Sequence, residues 1–552
     1  MNTPNPALVT ERAAQRLPRL ALLLFCAAYV LPGLFGRDPW KNAELSAFGV
    51  MVGISEGRVP WLSPTLGGLP TDAVLLPHWL GALSISLLSW IDPAVAARVP
   101  FALLLALTLV FTWYTTYQLA RTEAAQPLAF AFGGEAPMVD YARAMADGAL
   151  LALIATLGLL QLGHETTPEL SQLFAVSMFL WSLAAAPFRP GRARIAVLAA
   201  LPLLACSGAP AIAVGIGAAG ALVCARSHYD EVRRFAGWVA ASALLAAMLS
   251  SLFGLWAWRV GVRADASQLL QLARLLLWFL WPVWPLALWT LWRWRRQLLK
   301  RHVSVPLASV LVALVACVIM GGADRALMLA LPGLAVLAAF ALPTLRRSAA
   351  AAVDWFSVFF FSSCAIAIWV VYVAMQSGSP SRIAANVARL APGYPAPRVW
   401  FAVAAAIVAT LAWLWLVRWR TGRHQHALWK SLVLSAGGVA LNWLLLMTLW
   451  LPLLDYARSY RPLVRLVADH VPPQACLRAP GVSRAAVSAM EFFGRWRVDG
   501  RTVADDSCEY MLRQGSIALV PGAVAGWRVL ATLRRPTDSE ELFVVYRRNG
   551  KP

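Results

Sequence analysis

What most limits how this chain can fold is the succession of long apolar runs between Leu20 and about residue 454, separated by short and mostly basic stretches. An α-helix rises about 1.5 Å per residue, so about 20 apolar residues cross the roughly 30 Å hydrocarbon core of a bilayer. The runs fall at 20–35, 73–90, 99–120, 148–163, 172–188, 195–225, 236–258, 271–292, 303–320, 326–343, 353–375, 398–417 and 431–454. Ser207-Gly208-Ala209-Pro210 interrupts the run 195–225, which reads as two helices with a tight turn or as one broken helix. The choice gives 14 or 13 spans.

Charge narrows the class. Only 14% of the residues are charged, against about 25% in soluble domains. The net charge of +21 would suit nucleic acid, but the Lys and Arg gather between apolar runs, at Arg293 to His302, Arg346-Arg347 and Arg418 to His426. Cytoplasmic loops of membrane proteins carry this bias, so the partners are membrane lipids and not nucleic acid. These loops alternate correctly if 376–397 and the tail are exported, which favours 13 spans. The 26 Trp fit interfacial belts. The first run follows Arg12, Arg16 and Arg19 without a small-residue cleavage site, and reads as an uncleaved anchor with residues 1–19 cytoplasmic.

The segment after that run, Gly36-Arg37-Asp38-Pro39-Trp40-Lys41-Asn42-Ala43-Glu44, opens an extracytoplasmic loop reaching Asp72. Charges at the end of a spanning helix are costly unless they face water, substrate or ions. Asp38 stands open between two roles: general base beside the membrane, or partner of Arg37 or Lys41 closing the helix end. Glu44 reads as a surface charge at the start of a helix, Ala43 to Ile54, lying along the membrane. Asp72 and His78 sit where the loop returns to the membrane, the His as an interfacial hydrogen-bonder. Asp147 reads from the residues alone as an N-cap. The exported arginines, Arg58, Arg143, Arg259, Arg263, Arg325, Arg382, Arg389, Arg398, Arg458 and Arg461, offer forked phosphate binding or headgroup anchorage. Asp324-Arg325 reads as a loop ion pair. No metal-ligand spacing occurs among the seven Cys; a divalent cation is admitted but not required.

After Asp455 the composition becomes that of a soluble α/β domain. Strands are expected at Ala475–Arg478, Arg495–Val498, Ser516–Val520, Trp527–Leu533 and Glu541–Arg547, with a helix from Arg484 to Phe493 after Ser483. Cys476 and Cys508 would pair if this domain is exported. The domain boundaries are 1–455 and 456–552.

Several stretches together resemble the membrane-embedded C-type (GT-C) glycosyltransferases, the aminoarabinose transferase and protein O-mannosyltransferase-like superfamily. Arg37, Asp38, Ala43 and Glu44 match Arg-Asp-Glu-x-x-Tyr-Ala-Glu, with Pro39 and Asn42 differing. Ala97-Arg98-Val99-Pro100 looks like Ala-Arg-Leu-Pro, and Met145-Ala146-Asp147-Gly148-Ala149-Leu150 looks like Thr-Leu-Asp-Ala-Leu-Leu. The resemblance implies about 13 spans with a small exported α/β domain. It implies transfer of a sugar from a polyprenyl phosphate to a lipid A, glycan or protein acceptor at the periplasmic face of a bacterial inner membrane. By the same resemblance Asp38 is the catalytic base and Asp147 its partner in acceptor binding; from their positions and charges, Arg37, Glu44, Arg58, Asp72, His78, Arg143 and Arg325 are the substrate-binding candidates. A transporter or flippase, and a non-catalytic family member in envelope assembly, are the rival readings.

Overall fold

The structure is a computed structural model. It describes residues 6–40, 42–256, 260–261, 266–422, 427–502, 508–516, 522, 524–538 and 540–549. Lys41, Arg259, Arg263, residues 423–426 of the third basic loop and residues 517–520 of one expected strand lie outside them.

The chain begins with α1 (Arg19–Val30), α2 (Ala43–Ser55), the short strands β1 (Thr65–Leu66) and β2 (Leu69–Pro70), α3 (Leu76–Leu87) and α4 (Pro93–Ala120). There follow α5 (Met138–Ala155), α6 (Leu157–Leu162), α7 (Pro168–Ala185), α8 (Pro190–Cys206), α9 (Pro210–Ala225), α10 (Asp230–Leu252), α11 (Ala266–Phe279) and α12 (Val283–Arg293). Next are α13 (Arg301–Ile319), α14 (Asp324–Met328), α15 (Leu331–Ala341), α16 (Arg347–Ser377), α17 (Ser381–Leu390), α18 (Trp400–Thr421), α19 (Lys430–Leu449), α20 (Leu451–Arg458) and α21 (Arg461–Ala468). The last stretch holds β3 (Cys476–Arg478), α22 (Arg484–Phe492), β4 (Arg497–Asp499), β5 (Tyr510–Ser516), β6 (Trp527–Leu533) and β7 (Glu541–Arg548). Proline opens α3, α7, α8, α9, α15, α20 and α21. Its fixed φ suits a first turn, where the missing N–H has no helical partner anyway.

Among the described residues, α4, α10, α13, α16, α18 and α19 are long and apolar enough to cross a membrane, and α11 with α12 form a further pair bent by 89°. The protein is a multi-pass membrane protein with a small C-terminal sheet domain. Two of the expected runs resolve differently. Residues 73–90 give only the 12-residue α3, which packs on α2. Residues 195–225 give two helices, α8 and α9, because Gly208 takes φ +89°, open to glycine without strain, and Pro210 starts the next helix.

The chain divides into two compact units, and the division falls inside four of the long helices. The first comprises residues 1–32, 101–366 and 404–445. Here α15 is buried along its whole length, packed by α5, α12 and α13. Close approach depends on small residues: a Cβ on Gly148 would lie 2.5 Å from Leu342, and one on Gly217 would lie 2.8 Å from Ala243. The N-terminal segment lies along residues 128–136, through Leu128 N–H to Ala7 O (3.0 Å) and Ala136 N–H to Val9 O (3.1 Å). Leu428 N–H also bonds Ala13 O (3.0 Å). These groups mark the N-terminal end of α1; the other end is marked by His164 Nε2, 2.7 Å from Tyr29 O.

The second unit comprises residues 33–100, 367–403 and 446–552. Its five-stranded sheet has the order β4-β3-β5-β7-β6, with β3 parallel to β4 and β5 and the remaining pairs antiparallel. Cys476 and Cys508 are disulfide-bonded, and Ser483 caps α22 by accepting from Ala486 N–H (3.4 Å). The helix expected to lie along the membrane surface is instead enclosed: α2 is apolar on all sides and nearly every residue from Glu44 to Ile54 is buried, against α3 and α22. A helix apolar all round gains stability only by burying every face. The β1–β2 turn is fastened to the sheet domain by Gly500 N–H to Gly67 O (2.8 Å).

Candidate active site

Asp38 lies between the end of α1 and the start of α2, and its carboxylate is held from the junction of α20 and α21. Ser459 Oγ donates to Oδ2 at 2.7 Å, Arg461 Nε donates to the same oxygen at 2.9 Å, and Arg461 Nη2 donates to Oδ1 at 2.5 Å. The Asp38 side chain is 13% exposed and that of Arg461 47%. The backbone is fixed as well: Asp38 N–H donates to Asp455 Oδ1 at 2.7 Å, and Trp40 Nε1 donates to the same oxygen at 3.2 Å. Burial, then the adjacent Asp38 charge, pushes the Asp455 carboxyl up to about 6.

Arg37 Nη1 meets Asp38 at its backbone O (3.5 Å), and the ion pair of Arg37 is with Glu44. Its guanidinium forks onto Glu44, Nη1 to Oε2 at 2.6 Å and Nη2 to Oε1 at 2.9 Å, while Nε donates to Gly33 O at 2.9 Å. Trp40 N–H donates to Glu44 Oε2 (2.9 Å), and Arg98 Nε lies 3.6 Å from Glu44 Oε1. Arg98 Nη1 donates to Arg37 O (2.9 Å). Glu44 is thus no surface charge. Burial alone would raise its pKa, but Arg37 and Arg98 outweigh burial and hold it at about 2. The Trp40 ring lies under both Arg37 and Arg458, at 4.6 and 4.8 Å.

The other loop candidates have separate settings. Arg58 pairs with Glu56 (2.5 Å) and reaches Glu491 at 3.6 Å; Asp72 pairs with Arg484 (2.9 Å). His78 is buried, with Nδ1 3.0 Å from Val74 O, and burial lowers its pKa to about 4, so the ring is neutral at pH 7. Arg389 bonds Asn386 and Arg398 bonds Gln376.

Asp147 takes a place the sequence did not suggest. It is no N-cap, since α5 starts nine residues earlier. Its Oδ2 accepts from Leu17 N–H (2.9 Å) and its Oδ1 from Trp113 Nε1 (2.8 Å). Leu17 precedes α1, so Asp147 sits at the N-terminal end of that helix, whereas the chain reaches Asp38 from the C-terminal end. Arg143, ion-paired with Asp140 (3.6 Å), follows the loop 128–136 that packs on the N-terminal segment.

At the Tyr29 end of α1, the first unit gathers a different acidic cluster. Arg325 Nη2 lies 2.7 Å from Glu165 Oε2, and its Nη1 lies 3.1 Å from both Glu169 Oε2 and Thr167 Oγ1. Burial works against the Arg325 charge, but Glu169 and Glu165 outweigh it and raise its pKa. Asp324 accepts from the Arg325 backbone N–H (2.8 Å), while the Arg325 guanidinium makes its ion pairs across the fold with Glu165 and Glu169. Glu165 and Glu169 were missed because nothing local marks them; their cation is 160 and 156 residues away. Among the described residues no three His, Cys, Asp or Glu side chains are gathered as a metal ion would need.

No protein-family model and no curated protein matches the sequence. Solved structures do. The crystal structure of ArnT from Cupriavidus metallidurans bound to undecaprenyl phosphate superposes with a TM-score of 0.59 at 14% identity, over 96% of each chain. The apo state of the same protein gives 0.58 at 14% identity, again over 96% of each chain. Across nearly its whole length, therefore, this chain has the fold of a GT-C-type membrane glycosyltransferase.

Proposed function

We propose that this protein is a membrane glycosyltransferase that moves a sugar from a polyprenyl phosphate, with undecaprenyl phosphate as the carrier, to a lipid, glycan or protein acceptor of the bacterial envelope. The observation that carries this reading is Asp38, a carboxylate held by three side-chain hydrogen bonds on the loop after the first helix, in a chain folded like ArnT, which has been solved with undecaprenyl phosphate.

The reading includes a topology of thirteen passes, made by α1, α4, α5, α7, α8, α9, α10, the α11–α12 pair, α13, α15, α16, α18 and α19. The basic loops support it: Arg189 to Arg194, Arg226 to Arg234, Arg293 to Arg301, Arg346-Arg347 and Arg418-Arg420 then all fall on the side of the N-terminus, as the positive-inside rule requires. Asp38, Glu165, Arg325 and residues 456–552 fall on the opposite, periplasmic side of an inner membrane, and Cys476–Cys508 suits an oxidising compartment. Asp147 and Arg143 fall on the cytoplasmic side, which removes them from the chemistry.

In the proposed reaction the acceptor's hydroxyl or amine attacks the anomeric carbon as the bond to the lipid phosphate breaks, inverting the configuration. Asp38 takes the acceptor's proton, and the bond's electrons leave with the phosphate, whose charge the exported arginines balance. General-base catalysis contributes about 10²–10⁴-fold. Cells carrying Asp38→Asn, compared with wild type and with cells lacking the protein by mass spectrometry of envelope lipids and glycans, should lose the same glycoform as the deletion. Wild-type glycoforms with Asp38→Asn would instead point to a non-catalytic role in envelope assembly.

A further inference from the structure

We infer that Ser459 and Arg461, at the junction of α20 and α21, are the positioning residues for Asp38; the inference rests on the glycosyltransferase reading. A carboxylate offers about four lone-pair positions. Ser459 Oγ and Arg461 Nε fill both on Oδ2, and Arg461 Nη2 fills one on Oδ1. Among the described residues, one position on Oδ1 is left for a proton-bearing acceptor group.

The clamp is itself held. Ser459 Oγ accepts from Arg461 N–H at 3.0 Å, which directs the hydroxyl proton to Asp38. Ser459 is 2% exposed, so its rotamer is set by packing. The Arg461 guanidinium lies 4.5 Å over the Phe493 ring, and Arg461 lines a cleft of about 210 Å³ together with Arg465, Phe493 and Trp496. Tyr460, between the two clamp residues, is fully buried and donates to Glu541 at 3.2 Å, tying the junction to β7. From below, Asp455 fixes the Asp38 backbone.

A half-exposed ion pair adds little to stability, about 0–1 kcal/mol. Three donors converging on one half-buried carboxylate are therefore better explained by orientation than by strength. The fork can span both oxygens because guanidinium is planar and pre-organised; an ammonium cannot. A misplacement of about 1 Å in a catalytic group can cost about 10²-fold.

The test uses the full chain in lipid nanodiscs, with polyprenyl-phosphate sugars and envelope lipids extracted from the host. Arg461→Gln should lower kcat about 10–100-fold with KM for the lipid-linked donor within about twofold, Arg461→Lys should recover only part, and Ser459→Ala should cost about 3–10-fold. Unchanged kcat in Arg461→Gln, or full rescue by Lys, overturns the inference. A second measurement needs no substrate: labelling of Asp38 by a water-soluble carbodiimide at fixed pH, read by peptide mass spectrometry, should be at least about fivefold faster in Arg461→Gln, the clamp no longer covering the carboxylate. Equal labelling overturns the clamp even if transfer is found. Protected Asp38 without transfer from any extracted donor refutes the glycosyltransferase reading instead, and with it the base that the clamp would serve.

Discussion

Arg37 and Glu44, seven residues apart, close a two-pronged ion pair of 2.6 and 2.9 Å with side chains only 2% and 1% exposed. This pair, with Arg98 behind it, folds the loop after α1 back on itself and so sets where Asp38 can stand. Removing one partner of a buried pair typically costs about 3–5 kcal/mol, because the other charge is left without compensation. Glu44→Gln should therefore lower the unfolding temperature of the purified protein at neutral pH. The acid response should change too. A carboxylate held at about 2 contributes stability that is present above its unfolded value near 4.3 and is lost as pH falls from there toward 2. Thermal scans between pH 7 and 2.5 should be flatter for Glu44→Gln; an unchanged slope would assign the acid sensitivity elsewhere.

Asp455 behaves in the opposite sense. Its carboxyl is raised to about 6, so the folded state binds the extra proton between about 4 and 6, and stability falls as pH rises through that window. Asp455→Asn keeps an oxygen to accept from Asp38 N–H and Trp40 Nε1 and carries no charge beside Asp38. It should be more stable than wild type at pH 7 and equal to it at pH 4, measured by the same scans.

Asp147 and Asp38 should separate in function. Asp147→Asn loses one of the acceptors that hold Leu17 and Trp113, at about 1–3 kcal/mol for the buried donor left unmet. Unfolding temperature should drop while transfer per folded molecule stays within about threefold, against the 10²–10⁴-fold loss expected of Asp38→Asn. A loss of turnover in Asp147→Asn comparable with Asp38→Asn would restore Asp147 to the chemistry.

Gly49 is where α2 meets α22. A Cβ there would fall 2.2 Å from Ser488 Oγ and 2.7 Å from Ser488 Cβ, and Ser488 Oγ is already committed to Leu45 O at 2.8 Å. Gly49→Val should cost about 1–3 kcal/mol by overpacking, and limited proteolysis should cut within 446–552 faster than in wild type.

The sequence by itself determined the membrane class, the sheet domain and the segment that carries Asp38. Apolar length, loop charge and period-two patterning are local quantities, which is why β3, α22, β6 and β7 appear within a residue or two of where they were expected. Parity was not local. The expected single run 195–225 is two helices, and Asp147, expected on the exported side with Asp38, bonds Leu17 N–H ahead of α1; the topology proposed above accounts for both. Only the folded chain showed that α3 is a short helix packed on α2 and that α8 and α9 are separate helices. Partnership was decided by tertiary structure as well: Asp38 lies beside Arg37 in sequence but is held by Arg461, 423 residues on. An ion pair forms where two charges share a desolvated space, and chain order does not reveal which charges will.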